Sequence, residues 1–400
     1  MLWVGATVGL CILGDSLLYS ILPLEAQNLG IPLPLVGILL SANRLVRLIS
    51  NTWASAVFER MGPRGPFLGA VVLGVFSTAL YGIAWGFFVF LLARILWGIA
   101  WSGLRQGGYQ AVWTGASSVK GRLTGLLWGL VRLGSAVSVL AGGILYDRYG
   151  YDVTIGVVIA VTLLAIPVAL PLRWPPPAQL AGVADDKSRL SQPVAKRRLW
   201  QSWATVLDTP DRRWLAVAGF MAYLLSGIVV STTSLFLAQK VGDGSMMALG
   251  LGVATVTGLL HGTRWITDLA LGPLIGLVSD RMGQPTTAAL LVLAQVAALT
   301  GAILLDVPAA IGCLLAVLVC DGGLHIVLSA AASGAATGTP RPYLFVGAFT
   351  TMTDAGSAMG PLVAYIVATV VALPAIYWAA SIAAAGAIWR YWWLARRSAV

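Results

Sequence analysis

Charge is scarce in this sequence. Of 400 residues, only 10% are Asp, Glu, Lys or Arg, against about 25% in a soluble domain. The rest is too apolar for an ordinary water-soluble fold: 58% of the chain is hydrophobic and the mean hydropathy is +0.86, more than one buried core can hide. Cysteine is equally sparse. Cys11, Cys313 and Cys320 form an odd set inside apolar stretches, which excludes a disulfide framework and a zinc centre. The two histidines, His261 and His325, lack neighbouring ligand sets, so no metal is expected. No glycine loop followed by Lys-Ser/Thr occurs, so there is no sign of an ATP-driven pump, and no cofactor is expected. The net charge of +10 and pI near 9.9 would suit nucleic acid. Most basic residues, however, sit in short connectors between apolar runs, so nucleic acid is not an expected partner.

Long apolar runs are what the chain has instead. A bilayer-crossing helix needs about 20 mostly apolar residues. Twelve such runs are present, over about 3–27, 33–57, 66–84, 88–113, 121–145, 153–172, 213–237, 246–278, 286–305, 309–332, 342–369 and 374–394. They predict an all-α integral membrane protein. The runs are continuously apolar instead of alternating, so a transmembrane β-barrel is excluded. The first run has no basic region before it and no small-residue cleavage site after it, unlike a signal peptide. With both termini in the cytoplasm, seventeen connector and terminal Lys and Arg face inward, and only Arg148 and Lys240 face outward. This bias orients the chain. The stretch Arg173–Arg213, with Trp174-Pro175-Pro176-Pro177 and Lys196-Arg197-Arg198, reads as a cytoplasmic linker whose basic cluster rests on anionic lipid. The expected organisation is a bundle over 1–172, a linker over 173–212 and a bundle over 213–400, in the cell (plasma or inner) membrane.

The halves repeat. Ser55-x-x-x-Glu59-Arg60-Met61-Gly62 after the second run returns as Gly276-x-x-x-Asp280-Arg281-Met282-Gly283 after the eighth. The fifth run carries Gly125, Gly134, Gly142 and Gly143, and the eleventh carries Gly356 and Gly360-Pro361 on a matching grid. Glycines at stepped spacing let helix backbones approach closely, and Gly/Pro pairs permit bending.

With these motifs the sequence resembles the major facilitator superfamily over essentially its whole length. The acid-Arg-x-Gly turns look like that family's motif A, with Ser55 in place of its first glycine. Arg94-x-x-x-Gly98 looks like motif B, and the glycine grid looks like motif C, which the family associates with exporters. Ser138-Val139 stands where motif C has Gly-Pro. The resemblance implies twelve transmembrane helices in two pseudo-symmetric six-helix bundles, a small-molecule substrate at their midplane, a monomer, and no enzymatic activity.

Ten charges fall well inside the runs: Asp15, Arg44, Arg47, Arg94, Arg105, Arg132, Arg264, Asp268, Asp321 and Asp354. Each costs about 2.5–3.5 kcal/mol at a helix centre, so they must pair or line a wet cavity. Asp354 falls at the repeat position of Arg132, and Asp268 at that of Arg47. In the facilitator fold the second helix faces the eleventh and the fifth faces the eighth, which implies two interdomain gate pairs, Arg47–Asp354 and Arg132–Asp268. These would form when the cytoplasmic side is shut; the bland alternative has each Arg bonding carbonyls within its own half. The remaining Arg44, Arg94, Arg105 and Arg264 outnumber Asp15 and Asp321 by two, which suits an anionic substrate. Arg44 and Arg264 are its expected ligands, while helix-end neutralisation is the competing role of Arg44 and Arg105. Trp97 and Trp101 share a helical face and offer an aromatic wall, with packing as the alternative.

Asp15 with Arg94 resembles the arrangement of proton-coupled drug exporters in the superfamily. Asp321 with His325 one turn onward is the second proton-coupling candidate. The leading expectation is therefore proton-coupled export, an antiporter moving a small amphipathic or anionic organic solute by alternating access. The alternatives are an organic-anion importer or exchanger and a lipid flippase, with a non-transporting receptor or enzyme more remote.

Overall fold

The chain is seen in a computed structural model that describes residues 2–113, 120–172, 209–242, 251–337 and 342–398. Every regular element among them is helical. The first half comprises α1 (Leu2–Cys11), α2 (Leu13–Glu25), α3 (Leu33–Met61), α4 (Arg64–Tyr81), α5 (Gly86–Trp113), α6 (Lys120–Leu163) and α7 (Ala165–Ala169). The second comprises α8 (Pro210–Val241), α9 (Val253–Met282), α10 (Gln284–Leu304), α11 (Val307–Thr337), α12 (Pro342–Val367) and α13 (Leu373–Ser398).

These helices make twelve membrane-crossing segments. α1 and α2 together form the first, and α6 is long enough for two because its backbone leaves helical geometry at Gly150 (φ 77°, ψ −176°). A left-handed φ of this kind is strained for any residue with a Cβ, so glycine is what lets the chain reverse between the fifth and sixth spans. Eight helices are long and apolar enough to cross a membrane by length and composition alone. In hydrocarbon only a helix satisfies every backbone N–H and C=O internally, which is why such runs fold this way. Helix α8 begins at Pro210, three residues inside the stretch expected to be linker. The rest of that stretch, 173–208, lies outside the described residues.

Up-and-down alternation puts both chain ends and the turns at Gly62 and Gly283 on one side, the terminal side; the other is the distal side. Both turn glycines have left-handed φ, 74° and 84°, so the repeated acid-Arg-Met-Gly motif ends its helix in the same way twice.

Helix α3 packs on α12, and the fifth span in α6 packs on α9. These are the two seams between the halves. Both close toward the distal side. Gly37 lies against the Pro361 carbonyl and Tyr365, Gly143 against Ala254, and Gly258 against Val139. Asp147 accepts a hydrogen bond from the backbone N–H of Thr255 at 2.6 Å. One apolar cluster runs without a break from Leu17, Leu22 and Val36 to Leu225, Phe236 and Ala254, joining the halves there. A second, around Phe67, Trp97, Trp101 and Ala165, belongs to the first half alone.

Candidate functional site

Between the halves lies a cavity of about 700 Å³, walled by α2, α3, α5, α6, α8, α9, α11 and α12. Five of the charges expected inside the membrane line it: Asp15, Arg44, Arg47, Arg132 and Arg264. Three tryptophans from the first half and Trp265 from the second supply its aromatic surface. A charge that cannot face lipid has found a polar, concave site, which is the arrangement that lowers its cost.

In the first half the structure brings Asp15 and Arg94 together as an ion pair. The Asn43 amide also donates to Asp15 Oδ1, at 3.0 Å. Arg94 is fully buried, and its other donors reach the Leu39 carbonyl at 2.9 Å and the Leu40 carbonyl and Tyr19 hydroxyl, both at 3.3 Å. With every arm used, Arg94 is an immobile cation. Asp15 differs: both its contacts go to Oδ1, and Oδ2 has no partner among the described residues. Its side chain is 15% exposed, toward the cavity.

The second half has its own pair. Arg264 Nη2 donates to Asp321 Oδ2 at 2.6 Å, and Ser226 Oγ donates to the same oxygen at 2.8 Å. His325 Nε2 stands 3.6 Å from Asp321 Oδ1, and its ring stacks on Tyr223 with centroids 3.8 Å apart. Arg264 is one of the two expected substrate ligands. It is committed at one end to Asp321, because burial leaves a lone carboxylate no cheaper partner.

The expected seam pairs fare differently. Arg47 lines the cavity, and among the described residues no ion pair joins it to Asp354. The register of the two antiparallel helices explains this. Gly37 meets Pro361 distally, and at mid-depth Arg44 Nη1 donates to the Ser357 carbonyl at 2.6 Å. Arg47 and Asp354 each lie one turn further toward the terminal side, beyond these close contacts. Arg132 also lines the cavity; the side chain of its expected partner Asp268 lies outside the described residues. Arg105 is not part of the cavity wall.

Trp97 and Trp101 are buried on that wall with ring centroids 5.8 Å apart, and Trp128 continues the row at 6.4 Å from Trp101. Gly134 lies against Gly9 of α1, Gly142 against Leu17, Gly356 against Phe220 and Gly360 against Gly227, next to Pro361. The fifth span is thereby fitted to the first and the eleventh to the seventh. Gly125 has open space around it among the described residues, so the close-approach reading of the glycine grid does not extend to it; Gly276 of the turn motif is likewise open. Arg60, Asp280 and Arg281 are exposed on the terminal side; the side chains of Ser55 and Glu59 lie outside the described residues.

Tyr19, Asn43, Tyr223, Ser226 and Ser357 were not singled out from the sequence as site residues. One signal could have found Asn43. It stands 221 residues before Arg264, at the repeat offset of the turn motif, and both donate to the buried aspartate of their own half.

Two six-span bundles around one polar cavity at mid-depth define a secondary membrane transporter. The chain belongs to the Major Facilitator Superfamily, whose sequence profile matches residues 4–260. It is 28% identical over 119 residues to the MFS-type transporter ppzB of Metarhizium rileyi (strain RCEF 4871), a match spanning 30% of this chain and only 24% of that protein. Solved structures agree in fold. The nucleoside transporter NupG superposes with a TM-score of 0.78 at 12% identity, over 98% of this chain and 97% of its own. A bacterial homolog of the human lysosomal transporter Spinster, inward-facing and unoccupied, gives 0.74 at 14% identity, over 99% and 96%.

Proposed function

We propose that the protein carries a small amphipathic or anionic organic solute by alternating access, coupled to protons through Asp15 and working as an exporter. The observation that supports this best is the asymmetry at Asp15, a cavity-lining residue: one oxygen is held by Arg94 and Asn43, and the other has no partner among the described residues. A carboxylate so placed can gain or lose a proton from the cavity while the fixed Arg94 retains its charge. A bound solute that contacts or shields Oδ2 shifts that equilibrium, and this is the linkage coupling requires. Asp321 with His325 is the second protonation site in this reading.

The rocking elements are bundles 1–172 and 213–400, joined by a cytoplasmic linker over 173–212, with both termini cytoplasmic in the cell membrane. Distal closure then corresponds to an inward-facing state. Arg47–Asp354 and Arg132–Asp268 are the gate pairs that form when the cytoplasmic side shuts.

A second reading is favoured by a specific observation. Arg44 and Arg47 line the cavity without a carboxylate partner among the described residues, which suits an organic-anion importer or exchanger. Proteoliposome flux under an imposed pH gradient separates the two. Solute-dependent proton movement that disappears in Asp15→Asn supports the first; anion counterflow without proton movement replaces it with the second.

A further inference from the structure

Four residues of the cavity wall, Asn43, His261, Arg264 and His325, each carry a buried side-chain polar atom with no hydrogen-bond partner among the described residues, and two of these residues are neighbours on α9. Arg264 is 7% exposed and spends Nη2 on Asp321, yet its Nε has no partner among the described residues. One turn earlier on α9, His261 is 4% exposed and its Nε2 is likewise unpartnered. Both residues line the cavity. Buried polar atoms are nearly always satisfied, so two adjacent exceptions on residues that line one cavity point to a ligand. Arg264 Nε can only donate, whereas His261 Nε2, on a ring that also bonds the Val230 backbone, is left to accept. A hydroxyl accepts and donates at once, and it is the smallest group that serves both.

The α3 wall asks for the opposite chemistry. Arg44 and Arg47, one turn apart, present guanidinium donors to the cavity with no carboxylate on either among the described residues. Arg44 gives one nitrogen to Ser357 and lies with its guanidinium carbon 5.3 Å from the Tyr19 ring centroid, so it is braced and still has donors to offer. A guanidinium fork matches a planar carboxylate. The row Trp97–Trp101–Trp128 presents π surface of the kind that takes a flat ring. The volume of about 700 Å³ lies inside the range that encloses a drug-sized molecule.

We infer that the cavity takes a hydroxylated aromatic carboxylate, with its carboxylate on Arg44 and Arg47, its ring against the tryptophan row and its hydroxyl between His261 Nε2 and Arg264 Nε. This names the substrate class of the transport site proposed above and rests on that reading for its physiological meaning, while binding is measured without it.

Calorimetry on the full-length protein in lipid nanodiscs tests it with four matched probes. These are 6-hydroxy-2-naphthoate, 2-naphthoate without the hydroxyl, 2-naphthol without the carboxylate, and decahydronaphthalene-2-carboxylate without the aromatic ring. The hydroxynaphthoate binds tightest, and each omission weakens binding by about 5- to 30-fold. Arg44→Gln removes the preference for hydroxynaphthoate over naphthol, Trp101→Leu that for the aromatic over the saturated acid, and His261→Phe that for the hydroxylated over the plain naphthoate. Thermal unfolding screens each variant, and Arg47→Gln replaces Arg44→Gln if the latter fails to fold. Naphthol or the saturated acid binding as well as hydroxynaphthoate, or no probe binding, overturns the inference. Binding with this pattern but no flux into proteoliposomes leaves it standing and removes the transport reading. Flux of other solutes that no naphthoate binds or competes with removes the inference alone.

Discussion

The carboxylate of Asp147, in the first half, receives the backbone N–H of Thr255, in the first turn of α9 in the second half, at 2.6 Å. The first N–H groups of a helix lack partners within it, and an acidic oxygen there satisfies one of them and faces the positive end of the helix dipole. This cap is supplied from across the seam. Gly252 leaves room for it, since a Cβ at that position would run into the Asp147 carboxyl group. Opening the distal side must remove the cap.

Asp147→Ala is therefore expected to shift the protein toward distal-open states. Losing an N-cap costs about 0.5–2 kcal/mol, so the ratio of states moves by roughly 2- to 30-fold. Spin labels at the exposed positions Gly30 and Val370, on opposite halves of the distal surface, report it as a longer and broader distance distribution. An unchanged distribution shows that the cap contributes nothing to the equilibrium.

The Arg47–Asp354 gate is tested on the other side. Arg47→Gln and Asp354→Asn, singly and together, are compared by transport rate. If the two meet in the closed state, the double variant is less impaired than the sum of the singles, with a coupling of about 0.5–3 kcal/mol. Additive effects remove the pairing.

Neutralising Asp15 separates coupling from movement. Asp15→Asn is expected to lose proton-driven accumulation while retaining counterflow of the same solute, measured in proteoliposomes. Arg94→Gln is expected to do more damage, because Arg94 is fully buried and its loss strands the Asp15 charge. Breaking such a pair costs about 3–5 kcal/mol, visible as a lowered unfolding temperature. Equal thermal stability of wild type and Arg94→Gln contradicts a structural role for the pair.

The glycine grid makes its own contrast. A Cβ at Gly134 would strike the Gly9 backbone, whereas one at Gly125 would meet nothing within 4 Å among the described residues. Gly134→Ala is expected to destabilise by about 1–3 kcal/mol through overpacking, and Gly125→Ala to be neutral or slightly stabilising. Thermal unfolding in detergent decides, and equal melting of the two variants removes the packing argument.

Much of this protein was legible in one dimension. Continuous apolar runs leave the backbone no choice but helix in a membrane, and the 221-residue repeat of Glu59-Arg60-Met61-Gly62 as Asp280-Arg281-Met282-Gly283 announces a doubled bundle. The need of Asp15 and Arg94 for partners also follows from sequence, since an unpaired charge in hydrocarbon is too costly to keep. Which charge meets which was decided only by the tertiary structure. Arg264 and Asp321 are 57 residues apart on different helices, and no local rule matches them. Arg47 and Asp354 stand in register, yet among the described residues no ion pair joins them. Composition sets how many ions must be compensated; the packing of helices distant in sequence chooses the partners and leaves one atom each of His261 and Arg264 without a partner among the described residues.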